Sequence, residues 1–86
     1  MSNEKKTNTE TIMQIKNYFK EKGLSQVVTD SWEEYFGEVH LIVEGDIRVE
    51  HEKVKRIMKD LDYSQLFQNV LSIKNDICVA EHVYRK

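Results

Sequence analysis

Two helix-periodic segments recur in this chain at an offset of 39 residues, and each runs into sequence rich in β-branched residues. Ile15 to Gln26 aligns without gaps on Val54 to Gln65, and both stretches reach Ser-Gln just past an amphipathic run. A helix with one apolar stripe must bury that stripe against another element. In 86 residues, which bury roughly 60–65% of their unfolded surface, there is room for one compact core. Two α-β-β halves sharing a single sheet meet both conditions.

The first helix is expected over 8–22. Ile12, Ile15 and Phe19 form its stripe, Thr7-Asn8-Thr9-Glu10 reads as a capping box, and Gly23 as its C-terminal stop. The second is expected over 50–61, where Val54, Ile57, Met58 and Leu61 fall at i, i+3, i+4 and i+7. Between them, residues 38–45 set Val39, Leu41 and Val43 against His40, Ile42 and Glu44, the alternation of a strand.

Two segments carry competing signals. Residues 26–36 read either as a strand over 26–35 or as a helical turn capped at Ser31 and closed by Gly37; the strand is adopted. The last third fits a long helix through Leu66, Val70, Ile73, Ile77, Ala80 and Tyr84, or a hairpin of 69–73 and 77–84 turning at Lys74-Asn75-Asp76. Asn75 and Asp76 compete for backbone bonds in a helix interior, and the segment is crowded with Val and Ile, so the hairpin is adopted. The expected fold is α+β: a small single domain, two amphipathic helices packed on one antiparallel sheet, in the approximate order α-β-β-α-β-β. Residues 1–6 are read as a flexible N-terminal tail and 7–86 as the domain.

Charge is distributed unevenly. Residues 30–52 hold eight of the fifteen acids and only Arg48 of the thirteen Lys and Arg residues. Trp32, Tyr35 and Phe36 lie within this stretch. It can attract a basic partner and offer aromatic anchors once that partner arrives. The candidate partner-binding residues are Trp32, Glu33, Glu34, Tyr35, Glu38 and Glu44. The competing account is an acidic edge that protects a strand from its neighbours.

Chemistry finds little support. Cys78 with His82 or His40 has the residue types of a thiol–imidazole pair, but Ile77 and Val79 flank the thiol and free Cys is usually buried. Cys78 and His82 on one strand face cannot supply the four ligands of a structural zinc site. His51 reads as part of a solvated helix start. The three glycines stand apart at element ends, so no phosphate loop is present. No catalytic residue, cofactor or metal is expected. Helix lysines could meet phosphates, but a pI near 5.9 argues against direct nucleic-acid binding.

The chain is thus expected to be a non-enzymatic interaction module, a small adaptor or inhibitor of the kind mobile elements use in counter-defence. Its acidic-aromatic face would meet a basic partner protein that itself handles nucleic acid. The alternatives are a homodimeric structural domain, suggested by apolar residues on both sides of the last hairpin, and a weak nucleic-acid binder. A lone cysteine and the lack of an apolar leader point to the cytoplasm, and no membrane association is expected.

Overall fold

The computed structural model describes residues 9–35 and 37–86. The order is α1 (Glu10–Glu21), β1 (Val28–Glu34), β2 (Glu38–Gly45), α2 (Glu50–Asp60), β3 (Ser64–Lys74) and β4 (Ile77–Arg85). The four strands form one antiparallel sheet in the order β1-β2-β4-β3, so the two hairpins meet along β2 and β4. The α+β layout expected from the sequence is the one observed. Among the described residues no helix is long and apolar enough to cross a membrane.

Helix α1 starts two residues later than a cap at Thr7 would require, and Thr7 itself lies outside the described residues. Thr9 is the observed cap: its hydroxyl oxygen accepts from the Ile12 amide at 3.3 Å. Both helices end in the same hydrogen-bond pattern. In α1 the Leu24 amide reaches back to the Phe19 carbonyl and that of Gly23 to Lys20; in α2 Tyr63 reaches Met58 and Asp62 reaches Lys59. This is a Schellman closure, which places the residue after the cap in the left-handed region. Gly23 (φ 74°) takes that conformation freely, whereas Asp62 (φ 71°) must bear a side chain there. Leu24 and Tyr63, the next residues, are both buried. The two halves thus repeat in cap geometry as well as in sequence.

Val39, Leu41 and Val43 of β2 share one core with Ile12, Ile15 and Phe19 of α1 and Val54, Ile57 and Met58 of α2. Both helices therefore cover the same sheet face. On β4 that face carries Cys78, Ala80, His82 and Tyr84, all buried. At the entry to α2, the Glu50 side chain folds back to accept from the Asp46 amide at 2.8 Å. Gly45 makes this approach possible, because a Cβ there would lie 2.5 Å from the Glu50 Cβ.

The last hairpin forms as expected, but β3 is longer and less buried. Two register shifts, between Gln65 and Phe67 and between Val70 and Ser72, mark bulges. The second corrects a face assignment. Strict alternation sets Val70 opposite Ile73, yet Val70 pairs with Ala80 and Ile73 with Cys78, so both lie on the helix side. The burial expected on both sides of the hairpin holds for β4 only. Leu66, Phe67, Val70, Leu71 and Ile73 are each 48–68% exposed.

Candidate functional site

The sheet face turned away from the helices collects acidic side chains. Because alternate strand residues share a face, it carries Trp32 and Glu34 of β1, Glu38, His40 and Glu44 of β2, and Glu81 and Arg85 of β4. At its centre lies His40, buried at 6% exposure. Its Nδ1 stands 2.6 Å from Glu81 Oε2, and its Nε2 stands 3.1 Å from Glu38 Oε1 and 3.8 Å from Glu34 Oε1. The Trp32 indole stacks on the imidazole at 5.2 Å and 16°, and its Nε1–H donates to Glu34 Oε2 at 2.8 Å. Arg85 lies 3.8 Å from the other oxygen of Glu38.

The six residues proposed from sequence as a docking face divide among different settings. Glu34 and Glu38 join the His40 cluster, and Glu44 is exposed on the same face. Glu33 faces the helix layer, where its Oε1 accepts from the Thr9 hydroxyl at 2.6 Å. Tyr35, in the β1–β2 turn, is 75% exposed. Trp32 is only 7% exposed and packs on His40, so its ring is committed within the chain. Phe36 lies outside the described residues.

Sequence reasoning missed His40 and Glu81. The i, i+2 spacing of Glu38 and His40 on a strand was available as a signal. Glu81 had none, since only the β2–β4 register, which pairs Ile42 with Glu81, brings it alongside.

A second histidine group lies on the helix side, and here the solvated His51 expected from sequence is corrected. His51 and His82 are fully buried and Tyr84 nearly so. The Cys78 carbonyl can only accept, so His51 donates to it through Nε2–H at 2.8 Å. His51 Nδ1 then accepts from His82 Nε2–H at 2.9 Å, and His82 Nδ1 accepts from the Tyr84 hydroxyl at 2.8 Å. Burial first, then the neighbouring His51 and Lys55, pushes His82 down to about 3. Burial also raises the Tyr84 phenol above its ordinary range. This chain of hydrogen bonds is buried together with its histidines. It is a polar clamp tying α2 to β4, with Gln65 of β3 at 3.4 Å from His82.

The third feature is the outer edge of β3. Its eleven residues include a single charge, Lys74, at the end, and no proline. Exposed Ile47 and Val49, in the turn before α2, extend the apolar surface, and a shallow groove runs between Ile47 and the Val70–Ile73 side of β3. The opposite sheet edge is built differently: β1 is seven residues long and carries Asp30, Glu33 and Glu34.

Comparison with protein-family models, with characterised proteins and with solved structures finds no match for this chain.

Proposed function

We propose that this protein is a non-enzymatic interaction module whose docking element is the β3 edge, and that its occupant is a second copy of the chain. The observation that carries this reading is the concentration of half-exposed Leu66, Phe67, Val70, Leu71 and Ile73 on one edge strand. Contiguous apolar patches beyond a few hundred Å² mark interfaces on folded proteins. Edge strands are ordinarily blunted by charge or proline, and β3 has only its two bulges for that purpose. A strand nearly free of charge gives no electrostatic preference for an acidic or basic partner. Its apolar residues, interspersed with uncharged Gln, Asn and Ser, suit pairing with itself. An antiparallel two-fold pairing would keep both helix layers on one side of a continuous sheet, and such isologous dimers are the commonest assemblies.

Light scattering coupled to size exclusion tests this directly. The expected mass at micromolar concentration is twice 10.2 kDa, and replacing Phe67 and Val70 with Lys should return the protein to 10.2 kDa with its circular dichroism unchanged. A monomer at several hundred micromolar would refute the reading.

A second reading has its own support: Glu34, Glu38, Glu44 and Glu81 share the face away from the helices, beside the exposed Tyr35. This face would steer a basic, nucleic-acid-handling protein toward the module. Reversing Glu38 and Glu44 to Lys should slow capture of such a partner and flatten its salt dependence; an unaltered association rate would dismiss it. The buried, unpaired Cys78 suits the reducing cytoplasm in either case.

A further inference from the structure

We propose that Glu34 Oε1, Glu38 Oε1 and His40 Nε2 bind one divalent transition-metal ion of the Zn²⁺ class on the sheet face opposite the helices. The argument begins with the ring of His40. Both of its nitrogens face carboxylate oxygens, Nδ1 at 2.6 Å and Nε2 at 3.1 Å. A neutral imidazole carries one N–H, so one of these contacts would set a lone pair against an anion. A cation held between the ring nitrogen and the Glu34 and Glu38 oxygens would satisfy that lone pair and both anions at once. Three carboxylates surround the ring, and the nearby guanidinium of Arg85 is half exposed and 3.8 Å from Glu38.

The geometry accommodates a cation. The three ligand atoms lie within 4.8 Å of one another. A tetrahedral Zn²⁺ with bonds of ~2.0–2.1 Å holds its ligand atoms roughly 3.3 Å apart. The observed separations from His40 Nε2, 3.1 and 3.8 Å, bracket that value.

The outer shell is equally complete. Metal-bound histidines donate their other N–H to a carboxylate or carbonyl, and metal-bound carboxylates take second hydrogen bonds. Here Glu81 accepts from His40 Nδ1, Trp32 Nε1 holds Glu34, and Arg85 lies beside Glu38. The stacked indole also fixes the ring plane. An imidazole ligand selects first-row transition ions over Mg²⁺ and Ca²⁺. The set of one nitrogen and two oxygens leaves a fourth position toward solvent, because Glu34 and Glu38 are 16% and 21% exposed. The sequence reading expected no metal site and did not bring Glu34 and Glu38 together with His40; these three lie on the other side of the sheet from Cys78 and His82. The inference is independent of self-association through β3.

Isothermal titration with ZnCl₂ near pH 7.5 tests it, using the whole chain. One ion per chain is expected, with no comparable heat from MgCl₂. Glu34→Gln with Glu38→Gln should abolish the binding, and Glu81→Gln, a positioning change, should weaken it about 10-fold. Glu44→Gln, on the same acidic face but outside the cluster, should leave it unaltered. The His40 ring resonances should shift with Zn²⁺ in the parent protein and stay still in the double variant. Absence of saturable binding at 100-fold excess, or binding that survives in the Glu34/Glu38 variant, would overturn the proposal.

Discussion

At the scale of single residues, the two buried histidine systems differ in their neighbours. His40 sits among the carboxylates of Glu34, Glu38 and Glu81. His82 sits among His51, Tyr84 and the aliphatic core, where a charge has no counterpart within hydrogen-bond reach. Folding lowers the His82 pKa from 6.5 to about 3. Below pH 6.5 the unfolded chain therefore binds a proton that the folded chain rejects, so stability falls as pH falls. It is fully present above 6.5, and the loss is complete near 3. Lys55, on the same helix as His51, adds to the depression, while Glu52 opposes it. Urea titrations should show about 1–2 kcal/mol lost between pH 6.5 and 5 from this group. His82→Gln, whose amide can still donate to His51, should flatten that slope. An equal slope in the variant would place the proton elsewhere.

At the scale of elements, the two helices carry the same C-terminal closure with different residues at its demanding position. Gly23 meets the positive φ without cost, and Asp62 meets it with a Cβ. Asp62→Gly should therefore raise stability by about 0.5–1 kcal/mol, read from the denaturation midpoint at constant slope. A lowered midpoint would mean that the Asp62 carboxylate contributes more than its backbone costs.

The same scale explains what could be read from sequence. The stripes of α1 and α2 and the alternation of β2 are local patterns, and they placed these elements to within two residues. β1 was ambiguous because Ser31-Trp32-Glu33-Glu34 also has capping chemistry; pairing with β2 along its length resolves it as a strand. β3 was underestimated at its start, where Ser64 to Gln68 lacks an apolar alternation. Those residues are extended because β4 offers them a hydrogen-bonding edge.

At the scale of the whole molecule, the sheet is asymmetric. Its β1 edge is short and charged, whereas its β3 edge is long, nearly uncharged and lined by half-exposed apolar side chains. Two helices suffice to cover β1, β2 and β4, and the fourth strand extends beyond them. Burial of that remainder by a second copy would couple folding to association. The melting temperature should then rise by a few °C for each tenfold increase in protein concentration. A concentration-independent transition would separate folding from any association of β3.

Periodicity and capping residues determined α1, α2 and β2, and which stripe of each helix turns inward, because such signals lie within a few positions along the chain. The alternation of β2 likewise set Val39, Leu41 and Val43 apart from His40. Tertiary structure decided everything that depends on strand neighbours: the meeting of His40 with Glu81 across 41 positions, of His51 with His82 across 31, and the bulge that moves Val70 to the helix side. The physical reason is that register between β2 and β4 arises from backbone hydrogen bonds between distant segments. A shift of one residue in that register would reverse every face while leaving each local pattern intact.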